Sequence, residues 1–202
     1  MITIGLDFDN TIVQYDNLFC EVARRYGYIS DDGLTSKEEV KEYIHKNYSS
    51  DRFTLLQGIV YGEEIEKAKP SKNVVDVLNR LKTRYRLKII SHKTKYPILG
   101  KRIDLHQAAR RWLTIHGICR SENGVIDSRN VFFEDTVDRK IERIVKEGCQ
   151  VYIDDLAKIL RLLPTEITGL HYFPSQSRRR EWDRGPTLRD FDELEELLNV
   201  VT

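Results

Sequence analysis

Ile2-Thr3-Ile4-Gly5-Leu6-Asp7-Phe8-Asp9-Asn10-Thr11 is the stretch from which the fold is read. Residues 2–6 form a short apolar run closed by acid, the pattern of a buried strand ending at a loop. Two carboxylates spaced two apart just past a strand can approach one ligand together, because the chain leaves its alternating pleat there. A D-x-D-x-T match alone arises by chance in roughly a few per cent of chains this long. A preceding apolar strand and a second acidic pair after another apolar strand make coincidence far rarer. That second pair is Asp154-Asp155, directly after Gln150-Val151-Tyr152-Ile153.

Outward from this stretch the pattern alternates. Residues 14–69 are helical in character, with Leu18, Phe19, Val22, Ala23 and Tyr26 on one face and Val40, Tyr43 and Ile44 on another. Six of the ten tyrosines fall here, at 15, 26, 28, 43, 48 and 61, and core packing is their default reading. Pro70-Ser71 is expected to open a helix carrying Val74, Val75, Leu78, Leu81 and Tyr85. A second strand is expected at 87–91, ending on Ser91, then a helix over about 104–116 and a third strand at 131–133. The helix with Val137, Ile141, Ile144 and Val145 stops at Gly148, a plausible C-cap. A fourth strand at 150–153 and a fifth at 169–173 precede a capping box, Asp190 to Glu193, that starts the last helix. Strands alternating with helices imply an α/β fold with a parallel sheet, whose function sits at the carboxyl ends of the strands.

Composition narrows the class. The chain has 202 residues, 40% of them apolar and 32% charged, which suits a soluble globular protein with a proper core. Lysine plus arginine number 33 against 32 acidic residues, so total charge gives no reason to expect nucleic acid or an anionic membrane as partner. Arg178-Arg179-Arg180 with Trp182 is offset by Glu181 and Asp183 and reads as a solvated loop. Cys20, Cys119 and Cys149 lack CxxC spacing, which argues against a disulfide framework or cysteine-held zinc and fits a reducing, cytoplasmic setting. The five histidines show no zinc-binding spacing, and there is no glycine-rich nucleotide loop. His92, beside Ser91, is read as lining a pocket or as plain surface. The first residues carry no basic flank and no run approaches a membrane span, so neither a signal peptide nor a membrane anchor is expected.

Taken in order, these residues resemble the haloacid dehalogenase (HAD) superfamily, a large group of mostly phosphatases. Asp7 and Asp9 match its DxDxT motif, Ser91 its second-motif Ser/Thr, Lys140 its basic third motif and Asp154-Asp155 its acidic fourth. The resemblance covers about residues 2–13 and 70–175. It implies a Rossmann-like core of 1–13 and 70–202, with a small helical C1-type cap, residues 14–69, inserted after the first strand.

The chemistry suits these residue types. A phosphate monoester is doubly negative, so an attacking carboxylate needs a divalent cation to offset repulsion. Mg²⁺ takes oxygen ligands, as carboxylates and backbone carbonyls are. On this reading Asp7 is the nucleophile that forms an aspartyl-phosphate, and Asp9 is the general acid and base. The resemblance implies a metal held by Asp7, the carbonyl of Asp9 and the Asp154-Asp155 pair, with Asp155 as direct ligand and Asp154 acting through water. Asp9 favours a phosphoester over a haloacid, because a departing halide needs no proton and the family's dehalogenases lack this aspartate. Ser91 and Lys140 are expected at the phosphate, with Lys93, two residues past Ser91, as the alternative lysine. Thr11 and Asn10 are expected to shape the loop so that its N–H groups meet the phosphate. Substrates expected by analogy are sugar phosphates or nucleoside monophosphates. The alternatives are phosphoryl transfer between substrates and a non-catalytic interaction protein that keeps the fold.

Overall fold

The computed structural model describes residues 1–30, 33–120, 124–174 and 182–201. Its strands are β1 (Thr3–Leu6), β2 (Val13–Gln14), β3 (Lys69–Pro70), β4 (Arg86–His92), β5 (Val131–Glu134), β6 (Val151–Asp154), β7 (Thr168–Tyr172) and β8 (Thr187–Leu188). Its α-helices are α1 (Asp16–Arg25), α2 (Lys37–Asn47), α3 (Ser50–Gly58), α4 (Val74–Leu81), α5 (Leu105–Ile115), α6 (Val137–Lys146), α7 (Ala157–Leu160) and α8 (Leu194–Val201). They form two compact units, one of residues 1–13, 70–93 and 116–202, the other of 14–69 and 94–115. β2 and β3 pair with each other where the chain leaves the first unit and returns to it.

In the first unit six parallel strands run in the order β5-β4-β1-β6-β7-β8. β1 and β6 are buried along their whole length and β4 along all but its ends, as strands covered on both faces must be. From β1 the chain builds outward to β4 and β5, then returns to lay β6 on the other side of β1. That reversal opens a crevice beyond the carboxyl ends of β1 and β6, the usual ligand site of such sheets. Register sets the ends level: Leu6 lies opposite both Ile89 and Ile153, and the Asp7 N–H donates to the Ile153 carbonyl at 2.8 Å.

Several boundaries differ from the sequence expectation for local reasons. The helix expected from Pro70-Ser71 begins at Val74. Pro70 ends β3 instead, and Ser71 is bonded to the Ile12 carbonyl through its N–H (2.8 Å) and to the Thr11 carbonyl through its hydroxyl (2.5 Å). Tyr85 is buried but lies beyond the end of that helix. On α6 Lys140 and Ile144 are buried, and Val137 and Ile141 pack partly buried against the same core, while Val145, expected on that face, is exposed. Gly148 adopts φ 66° just past this helix, the conformation expected of a C-cap. Asp190 caps a 3-10 turn, Phe191–Glu193, before α8 starts. β8 adds a sixth strand; two residues are too few to show periodicity.

The second unit packs Tyr15, Phe19, Phe53 and Tyr61 into an aromatic cluster, with Tyr15 and Tyr61 rings 4.8 Å apart and Phe19 stacked on Phe53 at 5.7 Å. A complete capping box opens α2, Ser36 accepting from the Glu39 N–H and Glu39 accepting from the Ser36 N–H. Tyr26 and Tyr48 are exposed rather than core, and Arg52 lies over the rings of Tyr28 and Tyr48. This unit extends beyond the expected 14–69 by taking in 94–115. Trp112 on α5 is buried and donates its indole N–H to the Ala68 carbonyl at 2.9 Å. Gly58 and Gly62 leave room for the 97–105 segment: a Cβ at Gly58 would stand 3.0 Å from the Leu99 carbonyl oxygen, and one at Gly62 would stand 3.2 Å from Leu105.

Gly5 sits in β1 opposite Tyr152, and a Cβ there would lie 2.7 Å from Tyr152 Cδ2 and 2.9 Å from Cys149 Sγ. Gly5→Ala should therefore destabilise the protein by about 1–3 kcal/mol, the usual cost of overpacking a filled core. Chemical denaturation checks this, and an unchanged midpoint would show that the ring and thiol yield freely.

Candidate active site

Past β1 the chain turns sharply. Asn10 adopts φ 57°, a left-handed conformation that asparagine tolerates better than most residues, and the N–H groups of Ile12 and Val13 return to the Phe8 carbonyl at 3.0 and 3.1 Å. The turn places Asp7 buried at the strand end and Asp9 half-buried beside it. At the neighbouring strand end Asp154 is fully buried, and its Oδ1 accepts the Leu156 N–H at 2.8 Å. Asp155 is half-buried; its carbonyl accepts from His171 Nε2 at 2.9 Å, which places the proton of that ring on Nε2. Asp7, Asp154 and Asp155 each bring a carboxylate oxygen within 4.8 Å of the others.

Two buried lysines serve this group, one for each carboxylate of the first loop. Lys140, in the first turn of α6, places Nζ 2.6 Å from Asp7 Oδ1 and 2.6 Å from Asp154 Oδ2. That helix is N-capped by the Thr136 hydroxyl, which accepts the Arg139 N–H. Lys93 follows β4 and contacts both oxygens of Asp9 at 2.9 Å. The structure thus puts Lys140 on Asp7 and Lys93 on Asp9, where the spacing had left them competing for one place.

The electrostatics follow from this arrangement. Burial would push the Lys140 ammonium down, but Asp7, Tyr152 and Asp154 outweigh it and hold it well above the usual lysine range. One ammonium cannot neutralise a group of three carboxylates. Burial, with repulsion from Asp154 and Asp9 and against the attraction of Lys140, pushes the Asp7 carboxyl up to about 7. The cluster is short of positive charge at neutral pH.

Two hydroxyls complete the picture. Ser91 Oγ at the end of β4 and Thr11 Oγ1 in the turn are both buried and have no hydrogen-bond partner among the described residues. A buried hydroxyl left unpaired is costly and calls for an explanation, which an anionic ligand at the strand ends would supply. The donor set also fits a hard divalent cation: it is all oxygen, it carries excess negative charge, and its three carboxylate oxygens lie within 4.8 Å of one another.

Other residues fall away from this group. His92 is exposed and hydrogen-bonds at the surface with the Asp135 carbonyl. Arg178 to Arg180 lie outside the described residues, while Trp182 is buried and Asp183 lies 3.8 Å from Arg161. Sequence reasoning missed Tyr152 and His171, which touch Lys140 and Asp155 respectively. For Tyr152 a signal existed: the bulkiest residue of its strand stands two places before Asp154, as Gly5 stands two before Asp7.

No family model matches the sequence, and no curated protein matches it. Solved structures do match in shape. A Bacillus subtilis protein described as a HAD-hydrolase candidate bound to magnesium superposes with a TM-score of 0.65 at 14% identity, over 98% of each chain. A HAD-superfamily hydrolase, subfamily IA, from Geobacter sulfurreducens gives 0.62 at 11% identity, over 98% of this chain and 96% of that one. A predicted phosphoglycolate phosphatase from Haemophilus somnus gives 0.56 at 13% identity, over 97% of each. With the parallel sheet, its strand order and the acidic cluster at its carboxyl edge, these likenesses show that the chain has the fold of the haloacid dehalogenase superfamily hydrolases.

Proposed function

We propose that the chain is a Mg²⁺-dependent phosphohydrolase that cleaves a small phosphorylated metabolite, a sugar phosphate or nucleoside monophosphate, through an aspartyl-phosphate on Asp7. The observation that carries this reading is the pairing of two aspartates in one turn, each in contact with a different buried lysine, beside a second acidic pair and a serine hydroxyl with no partner among the described residues. The second unit is assigned the role of substrate-selecting cap. Three free, buried cysteines suit a reducing cytoplasm.

In the first step an oxygen of Asp7 attacks phosphorus, and the bond to the leaving oxygen breaks. Asp9 gives that oxygen its proton, which an alkoxide needs and a halide does not. Ser91 donates its hydroxyl hydrogen to a phosphoryl oxygen, filling the vacancy at that buried group. Lys140 keeps Asp7 in place and its positive charge faces the negative charge that develops. In the second step Asp9 takes a proton from water, the water attacks phosphorus, and the bond to Asp7 breaks to release inorganic phosphate. Asp9 enters the first step protonated and regains its proton from water in the second, and Lys93 fixes where its side chain points in both. The cation would be held by Asp7, Asp155 and the Asp9 carbonyl, with Asp154 acting through water; when bound it supplies the charge that lets two anions meet.

A phosphate-release screen over many phosphorylated metabolites, with Mg²⁺ and with EDTA, is the direct test. Turnover is expected only with the cation, should vanish in Asp7→Asn, and should be inhibited in the wild type by beryllium fluoride. Silence across a broad panel would favour a non-catalytic role for the fold.

Asp9→Asn separates protonation from positioning. With an alkyl phosphate the loss should be about 10²–10⁴-fold or more, the typical share of a general acid–base group. With p-nitrophenyl phosphate, whose leaving group hardly needs a proton, the first step should survive better and a phospho-enzyme should accumulate. Equal mild losses on both substrates without a trapped intermediate would make Asp9 structural.

Asp7 also predicts a pH dependence of stability in the metal-free protein. Its folded value of about 7 lies above its ordinary 3.8, so its contribution is fully present below about pH 4 and is lost as pH rises toward 7. That window is worth at most about 4 kcal/mol. Metal-free wild type should therefore lose more stability than Asp7→Asn between pH 5 and pH 8, and Mg²⁺ should restore it at pH 8. Parallel melting curves for the two proteins would contradict this.

A further inference from the structure

Tyr152 stands in the middle of β6, fully buried, with Gly5 of β1 as its register partner. Its ring does not stay over its own strand. It lies so close above Gly5 that a Cβ there would meet Cδ2 at 2.7 Å and Cε2 at 3.1 Å, and its hydroxyl reaches the Ile90 carbonyl of β4 at 2.5 Å. A single side chain therefore spans three adjacent strands just below the ends that carry Asp7, Ser91 and Asp154. α6 covers this ring. Ile144 packs in the same apolar cluster as Tyr152 and Ile90, and one turn earlier Lys140 places Nζ 5.5 Å from the ring centroid.

We propose that Tyr152 is a positioning residue for Lys140: its ring, admitted by Gly5 and anchored on Ile90, is the floor that keeps the ammonium between Asp7 and Asp154. A buried ammonium needs more than its two carboxylates, since every direction without a partner is a desolvated one. The face of an aromatic ring carries negative charge density and supplies such a partner without competing for a proton. The hydroxyl hydrogen goes to the Ile90 carbonyl, which leaves the ring to face the ammonium. An aliphatic side chain would fill the space and leave the cation unsupported on that side. This inference rests on the phosphohydrolase reading only for its catalytic consequence; the contact itself is tested apart from turnover.

The test compares Tyr152→Phe, which keeps the ring, with Tyr152→Leu, which removes it. In metal-free protein with ¹³C-labelled lysine, the Lys140 ε-methylene signal should be shifted upfield by the ring current in wild type and Phe, and should move to the ordinary lysine position in Leu. With p-nitrophenyl phosphate and Mg²⁺, well below each melting temperature, Leu should lose about tenfold or more in kcat/KM while Phe recovers it to within about threefold. Beryllium fluoride should bind Phe like wild type and Leu more weakly. A side chain that merely fills the core would lower the melting temperature in both variants and leave kcat/KM of the folded protein equal. Leu matching Phe in kcat/KM, or a Lys140 signal unchanged in Leu, would overturn the proposal. So would Phe falling as far as Leu, which would place the role on the hydroxyl. Wild type with neither turnover nor beryllium fluoride binding would sink the phosphohydrolase reading, and the lysine spectrum would still decide the role of Tyr152.

Discussion

One buried ammonium ties the site together. Lys140 Nζ is shared at 2.6 Å between Asp7 and Asp154, so it joins the ends of two adjacent strands to the first turn of a helix. Two carboxylates at neighbouring strand ends would repel each other strongly in a low-dielectric interior, and the lysine makes their proximity tolerable. Removing one partner of such a buried pair typically costs about 3–5 kcal/mol, because the other charges are left without compensation. The rest of the first unit is consistent with this constraint. The register of β1 against β6 brings the two aspartates level, Thr136 starts α6 at the point that aims Lys140 inward, and Gly5 lets a large ring lie beneath it.

The second lysine makes the arrangement asymmetric. Asp7 shares its cation with Asp154, whereas Lys93 contacts both oxygens of Asp9. Two carboxylates only two residues apart thus sit in different surroundings, one buried in a group short of positive charge and one half-buried with both oxygens on Lys93. Such a difference is the condition that the proposed division of labour between nucleophile and acid–base needs. The shortage of positive charge around Asp7 is itself informative. A protein does not readily keep such a deficit buried unless something offsets it, and a divalent cation is the simplest offset that oxygen ligands select.

The second unit shows how little side-chain volume decides which segments belong together. Residues 94–115 follow a core strand in sequence, yet they pack with 14–69. The reasons are specific contacts: Gly58 admits the Leu99 carbonyl, Gly62 admits the side chains of Ile103 and Leu105, and the Trp112 indole N–H on α5 finds the Ala68 carbonyl. These are pairings over long sequence distance, and none of them leaves a periodic trace.

Much of this protein was legible in its residues. Apolar runs closed by Asp7, by Ser91 and by Asp154-Asp155 mark strand ends because buried parallel strands carry little but apolar side chains, and alternation with amphipathic helices implies the parallel sheet. The residue types at those ends also suggested the chemistry proposed above, because carboxylates, a serine and a lysine suit a metal-assisted reaction on an anion. What the chain by itself did not decide was which lysine meets which carboxylate and that Tyr152 lies under Lys140; its pattern put 94–115 with the core, whereas the structure groups that segment with the second unit. Each of those depends on strand register and on the direction a side chain takes across a neighbouring strand. Periodicity reports only which face of its own element a residue occupies, so only the tertiary structure decided them.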